Sequence, residues 1–116
     1  MNNPIFLAID KPKRSDAIAL LAGVKHLIGG VKLGLEFFAA EGPDGITAVM
    51  ATAPNLPLFL DLKLHDIPNT VAAAVTSVAR LRPSFITVHA AGGEAMIEAA
   101  VEAARKSSPS SPPKIL

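Results

Sequence analysis

Apolar positions fall into short runs separated by segments with helical spacing. Residues 5–9, 30–33, 57–62 and 84–88 each read as a strand buried on both faces, because apolar residues follow one another there instead of alternating. Their starts lie roughly 27 residues apart, about the length of one strand–helix unit. Between the first two strands, Ile18, Leu21, Val24 and Leu27 or Ile28 mark one helix face, with Ser15 or Asp16 as N-cap and Gly29-Gly30 closing the helix. A weaker helix is predicted over 43–53, stopped by Pro54, a third over 68–81 with its proline in the first turn, and a fourth over 94–106 after Gly92-Gly93. The stretch SSPSSPP (107–113) reads either as low-complexity linker or as a loop before a fifth strand at Lys114-Ile115-Leu116, and the rhythm favours the loop.

Alternating strands and helices imply an α/β fold with a parallel sheet and right-handed crossovers. Four units and the stub of a fifth make half of a parallel (β/α)8 TIM barrel, a fold of about 250 residues. Residues 1–116 are accordingly expected to be the N-terminal half of a single barrel domain, truncated at the start of strand five. An open flavodoxin-like sheet is the alternative, but its fifth strand has no room here.

Composition narrows the function. Half of the 116 residues are hydrophobic and the formal net charge is +1, so neither disorder nor an electrostatic nucleic-acid surface is indicated. There is no Trp, Tyr or Cys, which argues against a base-stacking platform and excludes disulfides, thiolate metal sites and a cysteine nucleophile. Residues 1–10 lack a signal-type pattern and no run approaches the roughly 20 apolar residues of a membrane span, so a soluble cytoplasmic protein without a membrane partner is expected.

Charge at the strand ends is the most informative feature. In LFLDLKLHDIPNT (58–70), alternation puts Asp61 and Lys63 on one face and Leu60, Leu62 and Leu64 on the other, where the leucines can pack against helices. The first strand ends in Asp10, and Lys32 lies within VKLG (31–34), each flanked by aliphatic residues. One charge at a strand end is ordinarily a solvated loop residue. Two inward charges on one strand, matched on two neighbours, predict a cluster of two acids and two bases, since unpaired buried charge is costly. All four sit at carboxyl ends of parallel strands, where barrel enzymes place their chemistry.

The run from Asp61 to Val71, DLKLHDIPNTV, resembles the signature of the orotidine 5′-monophosphate decarboxylases, and LAID (7–10), VKLG (31–34) and TVHAAGG (87–93) occur in family order around it. The resemblance covers essentially the whole chain and implies a cofactor-independent lyase of pyrimidine biosynthesis that converts orotidine monophosphate to uridine monophosphate. On that resemblance Lys63 is the proton donor to C6 of the pyrimidine and Asp61 sits beside the scissile carboxylate. Lys32 holds the charge network and contacts the ribose, and Asp10 bonds a ribose hydroxyl. Asp66 and Thr70 cross a dimer interface to complete the neighbouring site, so a homodimer is implied and no metal is required. His65 is read as a structural hydrogen-bonder, His89 as a pocket-wall residue and His26 as solvated.

The Asp-x-Lys-x-x-Asp core is shared with metal-dependent sugar-phosphate decarboxylases and aldolases, which tend to carry an acid where this chain has Lys32. Such an enzyme, or a non-catalytic dimerising half-barrel, is the competing reading. The absence of the second half, which in the family supplies the phosphate-gripping arginine and a mobile loop, implies that the chain alone is inactive. Opening at Met1 with no upstream transferase domain, it resembles the monofunctional bacterial form.

Overall fold

The computed structural model describes residues 3–116, so Met1, read above as the opening residue, lies outside the described residues. The described residues form two compact units that divide between Phe59 and Leu60. The strands follow chain order in one sheet, β1-β2-β3-β4-β5.

The first unit holds β1 (Phe6–Ile9), α1 (Arg14–Val24), β2 (Gly30–Gly34), α2 (Leu35–Ala51) and the start of β3 (Leu58–Leu64). β1 and β2 pair in parallel with Phe6 opposite Gly30 and Ile9 opposite Leu33. A Cβ on Gly30 would lie 2.3 Å from the Phe6 ring, so the missing side chain is what lets the ring cover the strand. The start of β3 bonds the other side of β2 through the Val31 amide and the Pro57 carbonyl, 3.0 Å. Ile9, Leu21, Val31, Leu33, Phe37, Ile46, Val49 and Leu58 form the buried core of this unit.

Two expectations for this unit need correction. α1 starts two or three residues early, with Lys13 as N-cap and no side-chain cap, so Ser15 and Asp16 lie in its first turn. It also stops at Val24 with Lys25 as C-cap, instead of running to Leu27 and being closed by Gly29-Gly30. Leu27, the next position of the apparent apolar stripe, is 60% exposed and has no surface to bury against. The predicted helix at 43–53 is the second part of a longer element. A preceding helical segment, 35–41, joins it through Gly42, whose φ of 65° and ψ of −171° break the helix immediately before Pro43. Phe37, the buried residue of that missed segment, stands within LEFFAAEG, where a β-strand-like aromatic pair obscures the helical spacing.

The second unit continues β3 and adds α3 (Pro68–Ala79), β4 (Phe85–Val88), a 3-10 turn (Ala90–Gly92), α4 (Glu94–Ser107) and β5 (Lys114–Ile115). Ile67 is extended and places Pro68 at the first helical position, where its missing N–H costs no bond. α4 has Glu94 in its first turn and Arg105 and Lys106 in its last, each sign matching the helix dipole. The buried face of α3 carries Val71, Val75 and Val78, that of α4 Met96, Ala100, Ala103 and Ala104, and the two helices pack side by side. Small residues on α4 permit the close approach. β5 pairs in parallel with β4, Ile86 opposite Ile115, so 108–113 is a loop, as the rhythm favoured, while Ser107 still belongs to α4.

Candidate active site

β3 runs two residues past its predicted end, to Leu64, and this extension includes Lys63. Asp61 is the one buried charged residue among those described, at 7% exposure, and Leu60 and Leu62 beside it are buried on the opposite face. Burial of a carboxylate demands donors. Lys63 Nζ donates to Asp61 Oδ1 and Oδ2, each at 2.9 Å, and the Thr87 hydroxyl donates to Oδ1 at 2.8 Å.

The pair is asymmetric. The Lys63 side chain is 62% exposed and that of Asp61 only 9%, so the ammonium is more open to solvent than an inward placement of both charges anticipates. Burying both would cost several kcal/mol per ion; leaving the ammonium at the surface avoids most of that. The ion pair therefore adds little to folding stability, on the order of 1 kcal/mol or less. What it achieves is placement.

Placement depends on an unusual backbone. Lys63 has a φ of 50°, one of two non-glycine residues described with positive φ. That conformation costs roughly 1–2 kcal/mol in an L-residue, and such strain is commonly retained at functional positions. In a regular strand Asp61 and Lys63 would stand side by side; here the Lys63 chain curls so that its ammonium reaches back onto the carboxylate two residues earlier. The Lys63 N–H donates to Thr87 Oγ1 at 2.9 Å, and the strand resumes its ladder with the His89 N–H donating to the Leu64 carbonyl at 2.9 Å.

Around this pair, Asp66 and Thr70 are exposed at the start of α3. Asp66 Oδ1 accepts the Ile67 amide at 2.7 Å, which fixes the entry into the helix. His65 makes no side-chain hydrogen bond among the described residues, contrary to the structural role expected of it; it stacks on His89 with ring centroids 5.0 Å apart and 22° between planes. The stack caps the ends of β3 and β4. His26 is exposed past the end of α1.

Asp10 and Lys32 belong to the first unit. Lys32 is half-buried opposite Ala8, and Asp10 follows Ile9 at the exposed carboxyl end of β1, two residues beyond Ala8 and so on its side of the strand. Thr87, whose hydroxyl bonds both Asp61 and the Lys63 backbone, is the partner that sequence reasoning missed. It stood in a quoted motif, but a threonine on a strand is ordinarily a β-former, and nothing in the string marks its hydroxyl as a ligand of two other residues. Among the described residues no helix is long and apolar enough to cross a membrane, and no three His, Asp or Glu side chains are grouped to hold a metal ion.

Parallel strands alternating with helices, with ionisable side chains gathered at a strand's carboxyl end, define half of a (β/α)8 barrel with the site layout of its enzymes. The solved orotidine 5′-phosphate decarboxylase from Lactobacillus acidophilus matches 98% of the chain and 51% of that structure, with a TM-score of 0.83 and 35% sequence identity. A relative of the same name from Paramagnetospirillum magneticum is 56% identical over 104 residues, 90% of the chain and 43% of the relative. Another from Rhodospirillum rubrum is 51% identical over 98% of the chain and 47% of its own length. The family model described as Orotidine 5′-phosphate decarboxylase / HUMPS family matches residues 3–116, and the chain belongs to that family. It spans about half the length of the curated relatives it matches.

Proposed function

We propose that the chain is the N-terminal half of an orotidine 5′-monophosphate decarboxylase, with Asp61 and Lys63 as its reacting pair and Asp10 and Lys32 as its contacts to the substrate ribose. The observation that carries this reading is the Lys63 ammonium held 2.9 Å from both oxygens of a buried carboxylate at the end of a parallel strand. In the reaction the C6–carboxylate bond breaks, CO₂ leaves, and the electron pair stays on C6 in the ring plane, where it cannot delocalise into the π-system. A fixed ammonium answers that charge as it develops and then gives its proton to C6. Asp61, held by donors, disfavours a second carboxylate beside it more than it disfavours neutral CO₂. The exposure of Lys63 provides a route by which solvent returns the proton.

Lys32 meets the ribose, and Asp10 accepts from a ribose hydroxyl. Asp66 and Thr70 face outward at the start of α3, which suits side chains that finish the site of a second copy in a homodimer. The reading needs no cofactor or metal, places the protein in the cytoplasm, and assigns it neither a nucleic-acid nor a membrane partner. A full-length enzyme also grips the substrate phosphate, and remote binding of that kind supplies energy for closing and organising a site. The 116-residue chain alone is therefore expected to turn over negligibly.

Complementation tests the proposal. The chain is mixed with the C-terminal half of the Rhodospirillum rubrum relative, and loss of orotidine 5′-monophosphate absorbance is followed. Restored decarboxylation that falls at least about 10³-fold with Lys63→Ala is the expected outcome. Activity of the chain by itself near that of a full-length enzyme, or restored activity indifferent to Lys63, would contradict it.

A further inference from the structure

Thr87 carries no role in the chemistry above, yet its hydroxyl stands where the backbone of Lys63 and the carboxylate of Asp61 meet. A hydroxyl has one proton to give and lone pairs to receive with. Here the proton goes to Asp61 Oδ1 at 2.8 Å, and the oxygen takes the Lys63 N–H at 2.9 Å. The Lys63 ammonium closes the circuit onto the same Oδ1 at 2.9 Å. One residue thus ties down the strained backbone that aims the ammonium and also the carboxylate that receives it. Bonds linked in this way polarise one another, so charge on Asp61 is felt at the Lys63 amide through the hydroxyl.

We propose that Thr87 is a positioning residue for the decarboxylation: it holds Lys63 in its left-handed conformation and orients Asp61, so that the ammonium points at the reacting carbon. This rests on the reading of Asp61 and Lys63 as the reacting pair. Thr87 itself touches neither substrate nor reacting atoms. A merely structural threonine would be replaced by valine, which has the same shape, without any effect on Asp61 or on the Lys63 amide.

The isotope-labelled chain, its Thr87→Val and its Thr87→Ser forms are compared by NMR. In the unsubstituted chain and in Thr87→Ser, the Lys63 amide proton shift follows the Asp61 carboxyl ¹³C titration with the same midpoint. In Thr87→Val that coupling disappears, Lys63 amide exchange quickens at least tenfold, and Asp61 titrates at higher pH, having lost a donor to its ionised form. None of these readouts needs turnover. Their failure leaves the decarboxylase reading standing, whereas a silent complementation assay alongside coupled titration removes that reading and keeps the clamp. Should Thr87→Val not fold, the unsubstituted chain still decides: a Lys63 amide that ignores Asp61 ionisation overturns the proposal. So does a folded Thr87→Val chain whose Lys63 amide exchanges and titrates as before.

Discussion

Lys63 combines three properties that rarely meet in one lysine: an exposed ammonium, a fixed carboxylate partner and a left-handed backbone. The strain can be measured apart from the chemistry. At ordinary positions glycine is less stable than alanine because it loses more chain entropy on folding. At Lys63 the order is expected to reverse, with Lys63→Gly more stable than Lys63→Ala by about 1 kcal/mol, since only alanine keeps a Cβ in the left-handed region. Urea denaturation of both variants checks this, and the ordinary order would mean that Lys63 is unstrained. Which residue types carry the charge was legible in the string 58–70; the curl of Lys63 and the hydroxyl beneath it were not. Periodicity reports which face a side chain takes in a regular strand, and this residue leaves the regular strand.

At the scale of elements, strand positions were readable because buried parallel strands are uninterrupted apolar runs, and the third and fourth helices because Pro68 and the Gly92-Gly93 turn mark where they start. Helix ends were less legible. α1 has no capping side chain to announce it, and its apparent stripe continues past the point where burial stops. α2 hides a break, because Gly42 permits a conformation that continues neither helix yet keeps their backbones joined. Gly42→Ala has open space around its new Cβ but must hold a φ of 65° with ψ of −171°. A loss of about 1–3 kcal/mol is expected from backbone strain alone. Thermal unfolding followed by circular dichroism measures it, and an unchanged midpoint would show that the joint is not strained by a side chain.

For the whole molecule, the parallel strand order and the family match agree with the barrel half read from the sequence. The chain covers 43% and 47% of two relatives that are 56% and 51% identical to it. The most direct measurement is a crystal structure of the complemented protein with a uridine monophosphate analogue, reading the distance from Lys63 Nζ to ring C6. Hydrogen-bond range, with the Asp61 carboxylate still paired to the ammonium, is the expected finding. An ammonium turned away from the ring, or an analogue seated against other strands, would contradict it.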